Sequence, residues 1–393
     1  MEGAQALSGP LRVAIDARAA VAPRRTGVGV YAGEVIRRLP SVDPATRYTA
    51  WVLDVRGAAN RRRFFADAPG MSEHRTAIPA RVFDRAAARL DLPRIEWFVR
   101  FDVLFAPNFV PPPTRAPRQV VTIHDLAFRL MPETAPHAVP WWRRAVERAI
   151  ASAARVIVPS TATRDDLVRL FGIDEARVVV VPLAVDHRTY RPPSPEALAE
   201  ARAQLGLPDR YLLFLGLDRR KNLPTLLEAF ERLPAADRPA LVLVGAMPWE
   251  PDGSDPTDQA LARLRPDVRS GVVRLGYVDE RWKPGLVGGA TALVYPSRYE
   301  GFGLPALEAM ATGTPVVASN VSSLPELLDG SALLVDPDDA GAIADAVQRV
   351  VEDDDLRAKL GAAGIDRAAA FTWEETARRT AEVIRSAAEA DPA

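Results

Sequence analysis

The chain of 393 residues contains no cysteine. That excludes disulfides, thiolate metal sites and cysteine nucleophiles, and it fits a reducing compartment. Lysine is nearly as scarce, with Lys221, Lys283 and Lys359 set against 47 arginines. No apolar run approaches the ~20 residues needed to cross a bilayer. The opening MEGAQALSGP is small and polar, without a signal-peptide core, so the expected location is the cytoplasm. Aromatic residues make up 7% of the chain, and there is no zinc-finger spacing and no long basic run, so nucleic acid is not implied as a partner. No His/Asp/Glu spacing suggests a metal site, and there is no GxSxG elbow.

What the chain does contain is ordinary globular composition, 48% hydrophobic and 26% charged. At roughly 100 to 200 residues per domain, two domains are expected. The net charge of −1 conceals an asymmetry: residues 1–190 carry 28 Lys+Arg and 19 Asp+Glu, the remainder 22 and 32. Opposite signs suit halves that hold different ligands, and they equally suit two solvated faces of an arginine-rich chain.

Short runs rich in Val, Ile and Leu alternate with longer amphipathic stretches, the pattern of parallel strands joined by helices, hence an α/β fold. Strands are expected at Leu11 to Ala17, Tyr48 to Leu53, Val103 to Ala106, Gln119 to Ile123, Val156 to Pro159 and Val178 to Val181. A second series is expected at Tyr211 to Gly216, Ala240 to Val244, Val272 to Leu275, Thr291 to Tyr295, Pro315 to Ala318 and Ala332 to Val335. Helices are expected at Gly29 to Leu39, Trp141 to Ala154 and Thr372 to Ala388. The expected division is a first domain over 1–186, a connection over 187–208, a second domain over 209–371 and a terminal helix and tail over 372–393. In doubly wound sheets the ligand crevice lies at the carboxyl ends of the strands, so two such domains facing one another would make a cleft.

The densest chemical signal is SRYEGFGLPALEAMATGTPVVAS, Ser297 to Ser319, a loop between a strand and a helix. Glu300, Gly301, Phe302 and Gly303 form a tight turn, Pro305 falls in the first helical turn, and the amides around Gly303 and Leu304 make an anion cradle at the helix N-terminus. Glu300 and Glu308 are suited to accept hydrogen bonds from vicinal hydroxyls rather than to meet phosphate. The alternatives are a carboxylate that merely favours a helix N-terminus and a solvated helix face. In LFLGLDRRKNLPTLLEAF, Arg220 and Lys221 follow the first strand of the second half, where they could hold a diphosphate as leaving group; the alternative is an exposed basic loop. The lysine runs against the compositional habit of the chain.

In the first half, RRTGVGVYAGEV supplies Gly27, Gly29 and Gly33, but Arg18–Thr26 separates them from the strand, so a dinucleotide fingerprint is disfavoured and a long glycine-bearing loop expected. His124 and Asp125 end the strand beginning at Gln119; His124 is a candidate proton-handling contact or a hydrogen-bonded core histidine. Arg61 to Arg63 with Phe64 and Phe65, and Trp141 to Arg144, could touch a lipid-linked acceptor at a membrane surface, although such residues pack against ordinary cores more often.

TGVGVYAGEVIRRL, the IHD tripeptide, the Lys-Asn pair after Arg220, and EGFGLPALE with seven residues between its two acids together resemble the retaining glycosyltransferases of family 4, of GT-B fold. The resemblance spans residues 11 to 388. It implies that Glu300 contacts the hydroxyls of a donor sugar, that Glu308 binds the ribose of its nucleotide, and that the amides at Gly301 to Leu304 meet sugar and diphosphate. It implies further that Lys221 and Arg220 meet the diphosphate, that His124 lies near the sugar, and that Gly27 and Gly29 lie by diphosphate and acceptor. No metal or other cofactor is implied, and the final helix is expected to return to the first domain. The partners implied are a nucleotide diphosphate sugar and a glycan, lipid-linked or small-molecule acceptor, with peripheral contact at the inner membrane surface an option. The IHDLAF region is similar to bacterial mannosyltransferases, tilting the donor towards GDP-mannose. Two departures stand out: Leu217 follows Gly216 where many relatives have arginine, and Pro284, Gly285, Gly288 and Gly289 make a poor helix, expected as a mobile segment. An epimerase or phosphorylase on the same frame, or a non-catalytic sugar-nucleotide-binding subunit, remain the alternatives.

Overall fold

The structure is a computed structural model describing residues 9–22, 26–54, 64–116, 118–134, 140–245 and 256–390. The chain divides into two compact units, one of 1–184 with 373–393 and one of 185–372.

The first unit holds a seven-stranded sheet of β1 (Arg12–Asp16), β2 (Arg47–Leu53), β3 (Ser72–Thr76), β4 (Val103–Ala106), β5 (Gln119–Thr122), β6 (Arg155–Val158) and β7 (Val178–Val180). Its order is β3-β2-β1-β4-β5-β6-β7, with every pairing parallel. The central strands β4 and β5 are buried along their whole length, as expected when helices cover both faces. Trp51, Phe83, Ile95 and Leu104 build one of its core clusters. The helix Trp373–Glu389 packs on the helix Gly27–Val42 within this unit, as the family resemblance implies.

The second unit holds β8 (Tyr211–Leu215), β9 (Ala240–Val244), β10 (Val272–Leu275), β11 (Ala292–Tyr295), β12 (Val316–Ser319) and β13 (Leu333–Val335). Their order is β10-β9-β8-β11-β12-β13, again wholly parallel. Leu212, Phe214, Leu226, Phe230, Ile343 and Val347 anchor its main core. Strand order reverses between β1 and β4 in the first sheet and between β8 and β11 in the second, the switch points at which open α/β sheets leave a crevice.

Three local expectations are corrected. Gly27 and Gly29 do not sit in a loop: Thr26 caps the helix Gly27–Val42, its hydroxyl accepting from the Gly29 amide at 3.3 Å. Gly29 instead answers a close approach, because a Cβ there would lie 2.9 Å from the Ala19 carbonyl oxygen. The segment 187–208 is packed within the second unit, its helix Pro195–Leu205 lying against the helix Lys283–Gly288. That second helix is the stretch expected to be poor and mobile; its glycines permit contact, since a Cβ on Gly285 would come within 2.5 Å of Ala201 and one on Gly288 within 2.6 Å of Pro193. Arg61–Arg63 lie outside the described residues.

Candidate active site

In the second unit the loops leaving β8 and β11, on either side of the switch point, are stitched together. After β8 the chain turns at Gly216, in the positive-φ region at +85°, where a Cβ would press on the stem of Lys221 at 3.3 Å. Asp218 then caps a short turn over Arg219–Lys221, accepting from the Arg220 amide at 3.0 Å. The amide of Arg298, from the loop after β11, donates to the Arg220 carbonyl at 2.9 Å.

This brings Arg220, Lys221 and Glu300 together. Lys221 Nζ donates to Glu300 Oε1 at 2.5 Å, and an Arg220 guanidinium nitrogen donates to Glu300 Oε2 at 2.8 Å and to the Tyr299 carbonyl at 3.1 Å. The Tyr295 hydroxyl donates to Glu300 Oε1 at 2.9 Å. Lys221 and Glu300 are 6% and 5% exposed, so their charges face one another with little water between. Burial alone would raise the Glu300 carboxyl, but the charges of Arg220 and Lys221 overcome it and hold it at about 2. Burial lowers Lys221, and although Glu300 opposes this, the ammonium sits at about 8.

The turn after Glu300 is held from one side. Ser322 accepts from the Glu300 amide at 3.1 Å, and the Ser323 hydroxyl lies 2.9 Å from both the Glu300 and Phe302 carbonyls. Gly303 has φ +110°, and a Cβ there would strike Leu324 at 2.7 Å, so only glycine fits. The helix Leu304–Ala311 begins at once, with Pro305 in its first turn and its first bond running from the Ala306 amide to the Gly303 carbonyl. The amides of Gly303 and Leu304 therefore precede the helical ladder, with the positive end of the helix dipole behind them.

Glu308 lies on that helix, half-buried, and a hydrogen bond joins it to Tyr190. Burial raises its carboxyl to about 7, with Glu280 adding to the effect and Lys283 opposing it. Lys283 pairs with Glu280 at 2.9 Å. Tyr190, Lys283 and Tyr295 escaped the reading of the sequence. For Lys283 a signal was present, because it shares with Lys221 the distinction of being a lysine in an arginine-rich chain; Tyr190 and Tyr295 carry none that composition or spacing would reveal.

In the first unit His124 follows β5, buried edge-on against Tyr31 (centroids 4.9 Å) and beside Phe109 (5.6 Å). Its Nε2 lies 3.0 Å from the Pro107 carbonyl, which places the proton on Nε2 and leaves Nδ1 as the acceptor. Burial pushes the imidazole down, so it is neutral at pH 7. At the switch point of this sheet Arg18 clasps Asp16 through two bonds of 2.8 Å and lies over the Trp51 and Phe83 rings. The pair borders a cavity of about 430 Å3 lined also by Asn108, Val110, Trp141 and Trp142. A second cavity of about 700 Å3 shares Val110, Pro111 and Trp141 with it. Asp16, Arg18 and Asn108 were not singled out from the sequence. No helix among the described residues is long and apolar enough to cross a membrane.

Two parallel doubly wound sheets, with an acid and two cations gathered at the second switch point, have the architecture of the GT-B fold. The family of group 1 glycosyl transferases matches residues 209–353, and Glycosyltransferase Family 4 matches residues 25–189. The chain is 36% identical over 285 residues to O-antigen chain mannosyltransferase B of Escherichia coli, covering 71% of this chain and 72% of that one. It is 38% identical over 258 residues to a D-inositol 3-phosphate glycosyltransferase of a Nocardioides species, covering 61% of this chain and 56% of that one. Among solved structures, Anabaena HepE in complex with UDP and glucose aligns with a TM-score of 0.71 at 19% identity over 96% of this chain and all of that one (100%). Sucrose-phosphate synthase from Thermosynechococcus elongatus aligns with a TM-score of 0.70 at 22% identity over 96% and 98%. The chain belongs to the family 4 glycosyltransferases.

Proposed function

We propose that this enzyme transfers a hexosyl group, mannosyl in preference, from a nucleotide diphosphate sugar to a hydroxyl of a glycan, lipid-linked glycan or small-molecule acceptor, with retention at the anomeric carbon. The observation that carries the reading is the cluster of Glu300 with Arg220 and Lys221 at the carboxyl ends of β8 and β11. In this reading Glu300 accepts from the sugar hydroxyls and Glu308 from the ribose. Arg220, Lys221 and the amides of Gly301 to Leu304 take the diphosphate. His124, Gly27 and Gly29 serve the sugar and acceptor side. The 36% identity to an O-antigen chain mannosyltransferase supports mannose.

The bond from the anomeric carbon to the diphosphate oxygen breaks as the acceptor oxygen bonds to the same face, and the acceptor proton passes to the departing phosphate. Charge growing on the leaving diphosphate is met by Arg220 and Lys221, fixed in place before reaction, which is where electrostatic catalysis is most effective. No metal is required for that stabilisation.

A thermal-shift panel of UDP-, GDP- and dTDP-sugars identifies the donor, because a bound ligand raises apparent stability. With that donor and an acceptor, Glu300→Ala and Lys221→Ala should each lower nucleoside diphosphate release about a hundredfold or more while the fold is kept. Near-normal kcat in both would overturn the assignment.

A further inference from the structure

Tyr295 is the last residue of β11 and is wholly buried. Its hydroxyl bonds both members of the Lys221–Glu300 ion pair, accepting from Lys221 Nζ and donating to Glu300 Oε1 at 2.9 Å. Its ring supports the same ammonium, with Nζ 4.3 Å from the centroid. Lys221 and Glu300 both come from loops, whereas Tyr295 is part of a strand paired on both edges, with β8 and with β12. Packing alone would be met by phenylalanine, so the hydroxyl is explained by the partners it holds.

We propose that Tyr295 is a positioning residue of the donor site: its hydroxyl sets the Lys221 ammonium and the Glu300 carboxylate in the orientation in which they meet the donor. The proposal rests on the donor-site reading above. Before donor binds, Glu300 satisfies both Arg220 and Lys221. When a diphosphate draws those cations, the carboxylate gives up part of its pairing, and the hydrogen bond from Tyr295 keeps it aimed. The charged groups facing Lys221 are Glu300 from the loop after β11, together with Arg220 and Asp218 from its own turn. Removing the hydroxyl takes away an acceptor that favours the charged ammonium, so the ammonium should lose its proton at lower pH.

The test is Tyr295→Phe in the full chain, assayed with the nucleotide sugar that the unaltered enzyme turns over. The expected result is a fall in kcat of about tenfold with KM changed far less. The alkaline limb of the kcat/KM profile, which reports the donor-free enzyme, should move down by about half a pH unit or more. Tyr211→Phe is the control: that hydroxyl is also buried, but it donates to the Leu286 carbonyl at 2.6 Å and should leave the profile in place. If Tyr295→Phe does not fold, 3-fluorotyrosine at position 295, which keeps the hydroxyl but weakens it as an acceptor, must shift the limb in the same direction. An active unaltered enzyme with kcat and alkaline limb unchanged by these replacements overturns the proposal alone, as does a loss of activity that follows loss of stability with the limb unmoved. An unaltered enzyme that turns over no nucleotide sugar overturns the donor-site reading itself.

Discussion

Glu300 and Glu308 are carboxylic acids a few residues apart whose surroundings drive them in opposite directions. Glu300 meets two cations and stays ionised, its carboxyl held at about 2, while burial raises Glu308 to about 7. The folded pKa of Glu308 lies above its ordinary value, so the protonated acid is the favoured form. The stability this contributes is complete below the ordinary carboxyl range and is lost as pH rises through about 7. A carboxylate accepts two hydroxyls better than the acid does. Donor affinity should therefore strengthen as pH rises through about 7, and Glu308→Gln should abolish that dependence while weakening binding. Calorimetric titration of the nucleotide diphosphate sugar, whose diphosphate does not titrate in this range, across about pH 5.5 to 7.5 decides it, and a slope retained in the Gln variant would refute the role. At this scale the sequence singled out Glu300, Glu308, Arg220 and Lys221, because glycine spacing and a rare lysine mark their two loops, and the structure brings Glu300, Arg220 and Lys221 together. The pairing of Glu300 with Arg220 and Lys221 stayed hidden, since no local pattern says that the loops after β8 and β11 meet.

At the scale of elements, the turn at Gly303 is the place where backbone geometry is most constrained. With φ at +110° and a Cβ due to strike the buried δ-methyls of Leu324 at 2.7 Å and Leu327 at 3.1 Å, Gly303→Ala must strain the turn and displace those side chains. A cost of about 2 to 4 kcal/mol follows from strain and overpacking together. Urea unfolding should show the lower midpoint, and an unchanged midpoint would mean that the turn is not rigid. The same physics explains which elements were legible. β4, β9 and β10 run as read from sequence, because short Val- and Leu-rich runs between turn residues have no competing reading. β3 was missed because Ser72–Thr76 is polar, as an edge strand paired only with β2 can be. The first helix, read as starting at Gly29, begins two residues earlier at Gly27, because Thr26 supplies the cap that outweighs the poor propensity of its glycines. In the helix Lys283–Gly288 poor propensity yields likewise to tertiary contact, with glycines required where the helix Pro195–Leu205 comes close.

At the scale of the whole molecule, the two units are built from the chain differently. The second is one continuous stretch, 185–372, whereas the first needs 1–184 and also 373–393. The terminal helix contributes Trp373, Ala377, Ala381 and Ile384 to the core of the first unit, with Trp373 beside Tyr31 at 6.4 Å between ring centroids. Arg385 adds an ion pair to Asp43 at 3.0 Å. A chain ending at Thr372 therefore strips the helix Gly27–Val42 of its partner and exposes that apolar face, while every strand and core helix of the second unit is left in place. Scanning calorimetry of this truncation should show the transition of the first unit lost or greatly lowered and that of the second retained, and limited proteolysis should leave a resistant fragment beginning near Val185. Trp373→Ala in the full chain should reproduce part of the effect, at about 3 to 5 kcal/mol for a large buried aromatic. Melting of both units unchanged by the truncation would show that the helix adds nothing to the first core.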